Sequence, residues 1–159
     1  MDTRSYSFTT ESVEQTREAA ANLARVLKPG AVILLDGDLG AGKTHFTQGL
    51  AAGLGIASEV TSPTFNLLFE YRDGRLPLYH FDLYRLEDAL ELEDIGFYEF
   101  VEADGVACVE WAAKFPDDMP DERIALYIST EGEAQRRFDV EASGEAAIAA
   151  CEAWLGGAR

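Results

Sequence analysis

The residues best suited to chemistry lie in one glycine-rich stretch, Asp36-Gly37-Asp38-Leu39-Gly40-Ala41-Gly42-Lys43-Thr44, which reads G-x-x-x-x-G-K-T. An apolar run precedes it and a helix-like segment follows it, which is the setting of a phosphate-binding loop. The glycines let successive backbone N–H groups point inward, and the following helix adds its positive dipole, so the loop suits a polyphosphate. Lys43 would reach the β and γ phosphates, and the Thr44 hydroxyl would bind Mg²⁺.

An acidic side chain must accompany this loop, because Mg²⁺ takes octahedral oxygen ligands and one hydroxyl cannot hold it. Two strand-like runs end in such an acid: residues 78–82 end in Asp82, and residues 106–110 end in Glu110. Ligands of an open parallel sheet bind outside the carboxyl ends of its strands, so either acid can approach the phosphates. The second run is the more continuously apolar, which favours Glu110 as metal ligand and gives Asp82 a supporting role.

Three further features near the loop admit two interpretations each. The hydroxyl-rich segment 61–64 contains Pro63, and it is either a switch segment that orders around the γ-phosphate or a plain turn. His80 and Trp111 are both more typical of packed core residues than of functional groups. On residue type alone, we therefore expect neither of these two to carry chemistry.

The pattern along the chain predicts the elements that position these residues. Ser12 and Gln15 form a capping box at the start of the first helix, and Asp73-Gly74 predicts a hairpin. Helices are predicted at 12–27, 44–54, 87–95, 97–101 and 145–155. Strands are predicted at 31–36, 65–71, 76–82, 106–111, 124–129 and 136–141. The continuously apolar runs at 31–36 and 106–111 are typical of strands buried in a parallel sheet.

Length and composition restrict the class of protein. A chain of 159 residues fits a single domain spanning 1–159. Its 29 acidic and 13 basic residues give a net charge of −16, which would repel a nucleic-acid backbone, so any RNA would have to be held by a partner. The two cysteines support neither a disulfide framework nor a zinc site. No apolar run approaches a membrane span, so we expect a soluble cytoplasmic protein.

Four motifs together resemble the bacterial TsaE (YjeE) ATPases, which act in making the threonylcarbamoyl-adenosine modification of tRNA. The motifs are the phosphate loop, Ser62-Pro63-Thr64-Phe65, Tyr79-His80-Phe81-Asp82-Leu83-Tyr84-Arg85-Leu86, and Val109-Glu110-Trp111, in the family's order and spacing. The phosphate loop alone is generic. The segment H-F-D-L-Y-R-L before the E-W pair is far more specific.

The resemblance implies an α/β fold of the P-loop NTPase type, a three-layer sandwich whose central sheet is largely parallel with added antiparallel strands. It also implies ATP with Mg²⁺, and a weak intrinsic hydrolysis that becomes productive in a complex with TsaB and TsaD. In that complex tRNA would be contacted only indirectly, through the partners. The acidic balance of the chain is consistent with docking on a basic partner.

Site residues follow from the resemblance where the motifs match. Thr44 and Glu110 match the family's Mg²⁺ ligands, and Trp111 matches the aromatic residue next to the metal-binding glutamate. Asp82 matches a second catalytic acid, so the predicted catalytic residues are Lys43, Asp82 and Glu110. Ser62, Pro63 and Thr64 match a switch-like loop. The predicted ATP-binding residues are Asp38, Leu39, Gly40, Ala41, Gly42, Lys43 and Thr44, with Glu11 and Arg136 near the adenine.

Other functions share a phosphate loop. A small-molecule kinase would transfer the γ-phosphate to a hydroxyl and would need an arginine-rich lid. The sequence shows no such lid, because its only adjacent arginine pair, Arg136-Arg137, lies in a strand-like run. A GTPase would carry an N-K-x-D guanine-reading motif after the loop, and none follows. A nucleotide-gated binding module, in which turnover is incidental, stays open beside the ATPase.

Overall fold

The computed structural model describes residues 1–38, 42–60 and 67–156, and within them seven strands form one sheet. The strands are β1 (Thr3–Thr10), β2 (Val32–Gly37), β3 (Leu68–Tyr71), β4 (Leu78–Asp82), β5 (Val106–Glu110), β6 (Arg123–Thr130) and β7 (Arg136–Ser143). Their order across the sheet is β1-β7-β6-β2-β5-β4-β3. The helices are α1 (Val13–Val26), α2 (Lys43–Gly53), α3 (Leu90–Asp94), α4 (Phe97–Val101) and α5 (Glu145–Leu155), with 3-10 turns at Ala112–Lys114 and Pro116–Asp118.

The centre of the sheet is parallel and its flanks are antiparallel. β4, β5, β2 and β6 run in the same direction, whereas β3, β7 and β1 are paired antiparallel to their neighbours. This confirms the predicted α/β class with a largely parallel centre. The ends of β2, β4, β5 and β6 therefore meet at one edge, which we call the carboxyl edge, and ligands of such sheets bind there.

Helices cover both faces of the sheet and so make three layers. On one face α1, α2 and α5 bury a cluster that includes Leu23, Phe46, Leu50, Cys151 and Ile33. On the other face α3, α4 and the turn at 112–114 bury a cluster that includes Leu92, Phe97, Phe115, Val32 and Phe81. β2 and β5 contribute apolar side chains to both clusters, as expected of strands at the centre of a sheet that is covered on both faces. None of the helices in the described part of the chain is both long and apolar enough to cross a membrane.

Two glycines bring α1 and α2 into close contact. A Cβ atom at Gly49 would lie 2.4 Å from the Arg17 carbonyl oxygen, and one at Gly53 would lie 2.5 Å from that of Ala21. Real Cβ atoms do not approach oxygens so closely, so only glycine permits this helix spacing. The close packing fixes α2, and therefore the residue that begins it, Lys43, against α1.

The first helix and the helix predicted at 87–95 differ from their predicted extents. The first helix begins after its N-cap Ser12, whose Oγ accepts a hydrogen bond from the Gln15 N–H at 3.1 Å. The Gln15 side-chain oxygen accepts a hydrogen bond from the Glu11 N–H at 2.7 Å. In a standard capping box it would instead accept from the N–H of the N-cap residue, one position later. The helix predicted at 87–95 covers only Leu90–Asp94, because the backbone N–H groups before it bond to acidic side chains and form a turn.

β1 is an element that the sequence did not predict. Its inward side chains alternate along the strand as Tyr6, Phe8 and Thr10, and the Phe8 ring stacks on Phe138 of β7 with centroids 4.6 Å apart. The alternation is a strand signal, but small hydroxyl residues dilute it. β1 exists because its partner β7, distant in sequence, supplies the other half of the ladder.

Candidate functional site

The phosphate-loop motif connects β2 to α2 at the carboxyl edge, as predicted. Gly37 ends β2 where a Cβ atom would lie 2.5 Å from the Ile128 carbonyl oxygen. Gly42 precedes α2 with a φ of 103°, in the left-handed region that favours glycine. The motif's spacing thus places a glycine at each of these two positions. Leu39, Gly40 and Ala41 of the predicted ATP-binding set lie outside the described residues.

β6 holds the first residue of the loop. The Asp38 N–H donates to the Ile128 carbonyl oxygen at 3.2 Å, and the Asp38 carboxylate accepts a hydrogen bond from the Tyr127 hydroxyl at 3.1 Å. These two bonds continue the β2–β6 pairing one residue beyond the strand. The start of the loop is therefore anchored to the sheet on both its backbone and its side chain.

The two acids predicted at strand ends are neighbours. In the β4–β5 ladder Asp82 is paired with Glu110, and in the β2–β5 ladder Glu110 is paired with Leu35. Glu110 is 4% exposed, and its Oε2 lies 2.6 Å from Nε2 of the fully buried His80. The structure thus brings Asp82 and Glu110 together at the carboxyl edge, beside the strand that leads into the phosphate loop.

Electrostatics show that these groups share one environment. Burial raises the pKa of Asp82 above its usual range, the Tyr84 N–H opposes that rise, Glu110 adds to it, and Lys43 lowers it. Burial also raises the pKa of Asp36, which Lys43 lowers and Glu110 raises. The Lys43 ammonium therefore lies within electrostatic range of the Asp36 and Asp82 carboxylates, and both of these interact with Glu110. The site carries an excess of negative charge that a cation would neutralise.

Trp111 adopts an unusual backbone conformation immediately after Glu110. Its φ of 62° makes it the one non-glycine residue with positive φ among those described, and such conformations are uncommon for bulky side chains. The turn places its indole beneath the Lys43 ammonium, 4.9 Å from the ring centroid. Its ring also lies 4.9 Å from that of Tyr84, centroid to centroid.

Lys114 joins the segment after β4 to the segment after β5. Its Nζ donates to the carbonyl oxygens of Tyr84 at 2.6 Å and Leu86 at 2.5 Å. These carbonyls belong to the H-F-D-L-Y-R-L segment, so that segment is fixed next to Trp111. The H-F-D-L-Y-R-L segment and the E-W pair, which are distant in sequence, therefore contact each other in the fold.

The residues at the carboxyl edge suit Mg²⁺. The Thr44 hydroxyl, in the first turn of α2, and the Glu110 carboxylate are both hard oxygen ligands, and the surrounding charge is negative. Within residues 1–38, 42–60 and 67–156, no group of three or more His, Cys, Asp or Glu side chains could hold a metal ion. Mg²⁺ characteristically takes few protein ligands and completes its shell with phosphate and water, and its binding by Thr44 and Glu110 stays a prediction.

The two residues predicted near the adenine meet at a single turn of the carboxyl edge. Arg136 begins β7 opposite Thr10, the last residue of β1, and Glu11 follows directly. The Glu11 carboxylate accepts a hydrogen bond from the Gln135 side chain, and the Arg136 guanidinium donates to the Gln135 carbonyl oxygen at 2.8 Å. Both residues therefore flank the turn between β6 and β7, and their role toward adenine stays a prediction. Ser62, Pro63 and Thr64 lie outside the described residues.

Sequence reasoning missed two members of the site. The backbone N–H groups of Trp111 and Ala112 lower the pKa of Asp36, so its carboxylate faces the turn after β5. His80 is buried, as predicted for a packed residue, but it also bonds to Glu110. Its spacing of two from Asp82 on one strand places both on the same face, which is a sequence signal. The bond to Glu110 could not be foreseen, because it depends on the register between β4 and β5.

Comparisons with known proteins agree with this geometry. A family model described as threonylcarbamoyl adenosine biosynthesis protein TsaE matches residues 10–138. The chain is 46% identical to the tRNA threonylcarbamoyladenosine biosynthesis protein TsaE of Bacillus subtilis, over 90% of this chain and 89% of that protein. It is 40% identical to the protein of the same name from Treponema pallidum, over 81% of this chain and 95% of that protein. A crystal structure of Bacillus subtilis YdiB superposes with a TM-score of 0.86 at 36% identity, over 100% of this chain and 99% of that one.

Proposed function

Because the chain belongs to the TsaE family of threonylcarbamoyl adenosine biosynthesis proteins, we propose that it binds ATP with Mg²⁺ and hydrolyses it within that pathway. The observation that supports this most is the convergence of Lys43, Asp82 and Glu110 at the end of the phosphate-loop strand. Positioning and charge stabilisation are the main demands of phosphoryl transfer, and this arrangement supplies both.

Each residue has one task in the proposed reaction. Lys43 leaves the Trp111 ring and binds the β and γ phosphates, while the loop N–H groups bind the remaining phosphate oxygens. Thr44 and Glu110 hold the metal ion. Mg²⁺, when bound, neutralises charge on the β and γ phosphates. Asp82, whose pKa is raised by burial, is the second acid and accepts a hydrogen bond from the attacking water.

We propose that hydrolysis becomes productive only in a complex with TsaB and TsaD, with tRNA held by those partners. The net charge of −16 supports this division of labour, because such a chain repels a phosphate backbone. Lys43 is the cation that lowers the pKa of both Asp36 and Asp82, and an arginine supplied by a partner would add further positive charge for phosphoryl transfer.

The test measures ATP hydrolysis by the purified chain, alone and with TsaB, TsaD and unmodified tRNA, together with the threonylcarbamoyl-adenosine formed over many turnovers. We expect modification to stop without this chain, to resume when it is added, and to stay absent with Lys43→Ala. Lys28→Ala is the matched control, because Lys28 is exposed and follows α1 outside the site.

Two results would contradict the proposal. Brisk hydrolysis or phosphate transfer by the isolated chain, with modification proceeding in its absence, would favour a small-molecule kinase. Modification that depends on bound nucleotide but continues with an analogue that cannot be hydrolysed would favour a nucleotide-gated binding module.

A further inference from the structure

We propose that His80 is a positioning residue for Glu110: its imidazole fixes one carboxylate oxygen and leaves the other to bind the metal ion. The inference rests on the proposed function, since it assigns the ligand atom within that site. Nε2 of His80 lies 2.6 Å from Oε2 of Glu110, and the two side chains are 0% and 5% exposed. A hydrogen bond between buried groups at this distance, with an ionised acceptor, belongs to the strong class.

The surroundings of His80 define which ring nitrogen carries the proton. A carboxylate can only accept, so the proton of this bond lies on Nε2. Nδ1 of His80 is buried, and no group among the described residues forms a hydrogen bond with it. The described residues therefore direct the Nε2 proton of His80 at Glu110 and leave Nδ1 without a hydrogen-bond partner among them.

The register between β4 and β5 determines the side from which His80 approaches Glu110. His80 is paired with Cys108, and Asp82 with Glu110, so His80 lies two pairs further from the carboxyl edge than its acceptor. Side chains two residues apart on a strand share a face, so His80 approaches Glu110 from within the sheet. The bond engages Oε2 and leaves Oε1 as the oxygen available to a ligand at the edge.

A fixed carboxylate matters for this particular ion. Glutamate has three side-chain torsions, and freezing them on binding would cost conformational entropy. Mg²⁺ also demands near-ideal octahedral geometry, so a carboxylate that is already oriented binds it with less rearrangement. Partners that orient a ligand in this way typically contribute about 10–100-fold to metal affinity.

The experiment has two independent readouts. The first is the ¹⁵N and ¹H NMR signal of the His80 ring in the protein without nucleotide or metal, in which we expect the proton on Nε2 and a changed signal in Glu110→Gln. The second is the affinity of the ADP complex for Mn²⁺, a paramagnetic substitute for Mg²⁺, measured by electron paramagnetic resonance. We expect His80→Leu to weaken Mn²⁺ binding roughly 10–100-fold, without changing ADP affinity measured in the presence of a chelator.

Two further variants separate positioning from folding. The side-chain amide of His80→Gln can donate from nearly the same place as Nε2, so Mn²⁺ affinity should recover to within about threefold of wild type. Tyr79 precedes His80 in β4, points to the opposite face of the sheet, and donates a hydrogen bond to Asp104. Tyr79→Phe removes that bond and should leave Mn²⁺ affinity unchanged.

The outcomes are distinguishable. A His80 ring without a proton on Nε2, or wild-type Mn²⁺ affinity in His80→Leu, would overturn the positioning role while leaving the proposed function intact. If His80→Leu does not fold, the NMR assignment in the wild-type protein decides alone. Failure of the wild-type ADP complex to bind Mn²⁺ would refute the metal site itself, and this inference with it.

Discussion

The Lys43 ammonium lies over the Trp111 indole, 4.9 Å from the ring centroid. Such a cation–π contact stabilises a lysine by about 0.5–1 kcal/mol at an exposed site. A polyphosphate offers Lys43 a charge-assisted bond that is stronger than this contact. We therefore expect the Lys43 side chain to leave the Trp111 ring when nucleotide binds.

Tryptophan fluorescence should report this movement. Of the two tryptophans, Trp154 is packed against the opposite side of the molecule's core, with its Nε1 donating to the Ala19 carbonyl oxygen at 3.0 Å. We expect ATP to produce a saturable change in emission that persists in Trp154→Phe and is lost in Lys43→Ala. An unchanged emission in Trp154→Phe, at ATP concentrations where calorimetry shows binding, would contradict the movement of Lys43.

Removal of the Glu110 carboxylate should separate binding from hydrolysis. In Glu110→Ala the phosphate loop remains, so nucleotide still binds, whereas hydrolysis falls by roughly 100-fold or more because the lost group acts through the metal ion. The melting temperature should also fall, since His80 loses its buried partner. Glu102→Ala, at an exposed position after α4, is the control and should hydrolyse ATP at the wild-type rate. Wild-type hydrolysis in Glu110→Ala would refute the metal assignment.

Asp82 should destabilise the fold at neutral pH. Burial raises its pKa above the ordinary 3.8, so the folded protein binds this proton more tightly than the unfolded chain does. The stability that results is present below pH 3.8 and is lost as the pH rises through the raised pKa. Asp82→Asn should therefore raise the melting temperature at neutral pH, by no more than about 2–4 °C because Asp82 is only half-buried.

This gain should shrink in acid, where the wild-type side chain is itself neutral. Thermal unfolding of wild type and variant, compared at about pH 7 and about pH 4, measures the difference. Asp121→Asn, at an exposed position, should change neither value. Hydrolysis in Asp82→Asn should fall even as stability rises, and a variant less stable than wild type at neutral pH would contradict the sign of the effect.

Gly49 should be intolerant of even one added methyl group. A Cβ atom there would lie 2.4 Å from the Arg17 carbonyl oxygen and 2.8 Å from the Ala20 Cβ, so α1 and α2 must separate. We expect Gly49→Ala to lower the free energy of unfolding by about 1–3 kcal/mol, as overpacked cores do. Gly132→Ala, in an exposed turn, is the control for chemical denaturation. Equal midpoints for the two variants would contradict the close helix contact.

The elements that sequence predicts well are those with local signals. β2, β5 and α2 follow from continuous apolar runs and from the motif between them, and α5 spans the predicted residues 145–155. The motif also locates Lys43, and the ends of the predicted strands locate Asp82 and Glu110. These features depend on residues that are neighbours in the chain.

The features that sequence could not supply depend on pairing between distant segments. The bond from His80 to Glu110 requires the β4–β5 register, and the left-handed conformation at Trp111 has no local signature, because glycine would be the expected residue there. The proximity of Glu11 to Arg136 could not be predicted for the same reason, because it exists only when β1 pairs with β7.

The pairing of β1 with β7 also constrains how the protein is made. Tyr6 of β1 leaves the ribosome before β2, β3, β4, β5 and β6 have been made, whereas its partner Val140 follows all of them. β2 likewise waits for β5 and β6 before either of its edges is covered. The sheet therefore completes only after β7 has emerged, and until then its apolar strands are exposed to aggregation or to chaperones. Nascent chains halted before β7 should accordingly lack the β1–β7 edge of the sheet, including the turn that carries Arg136.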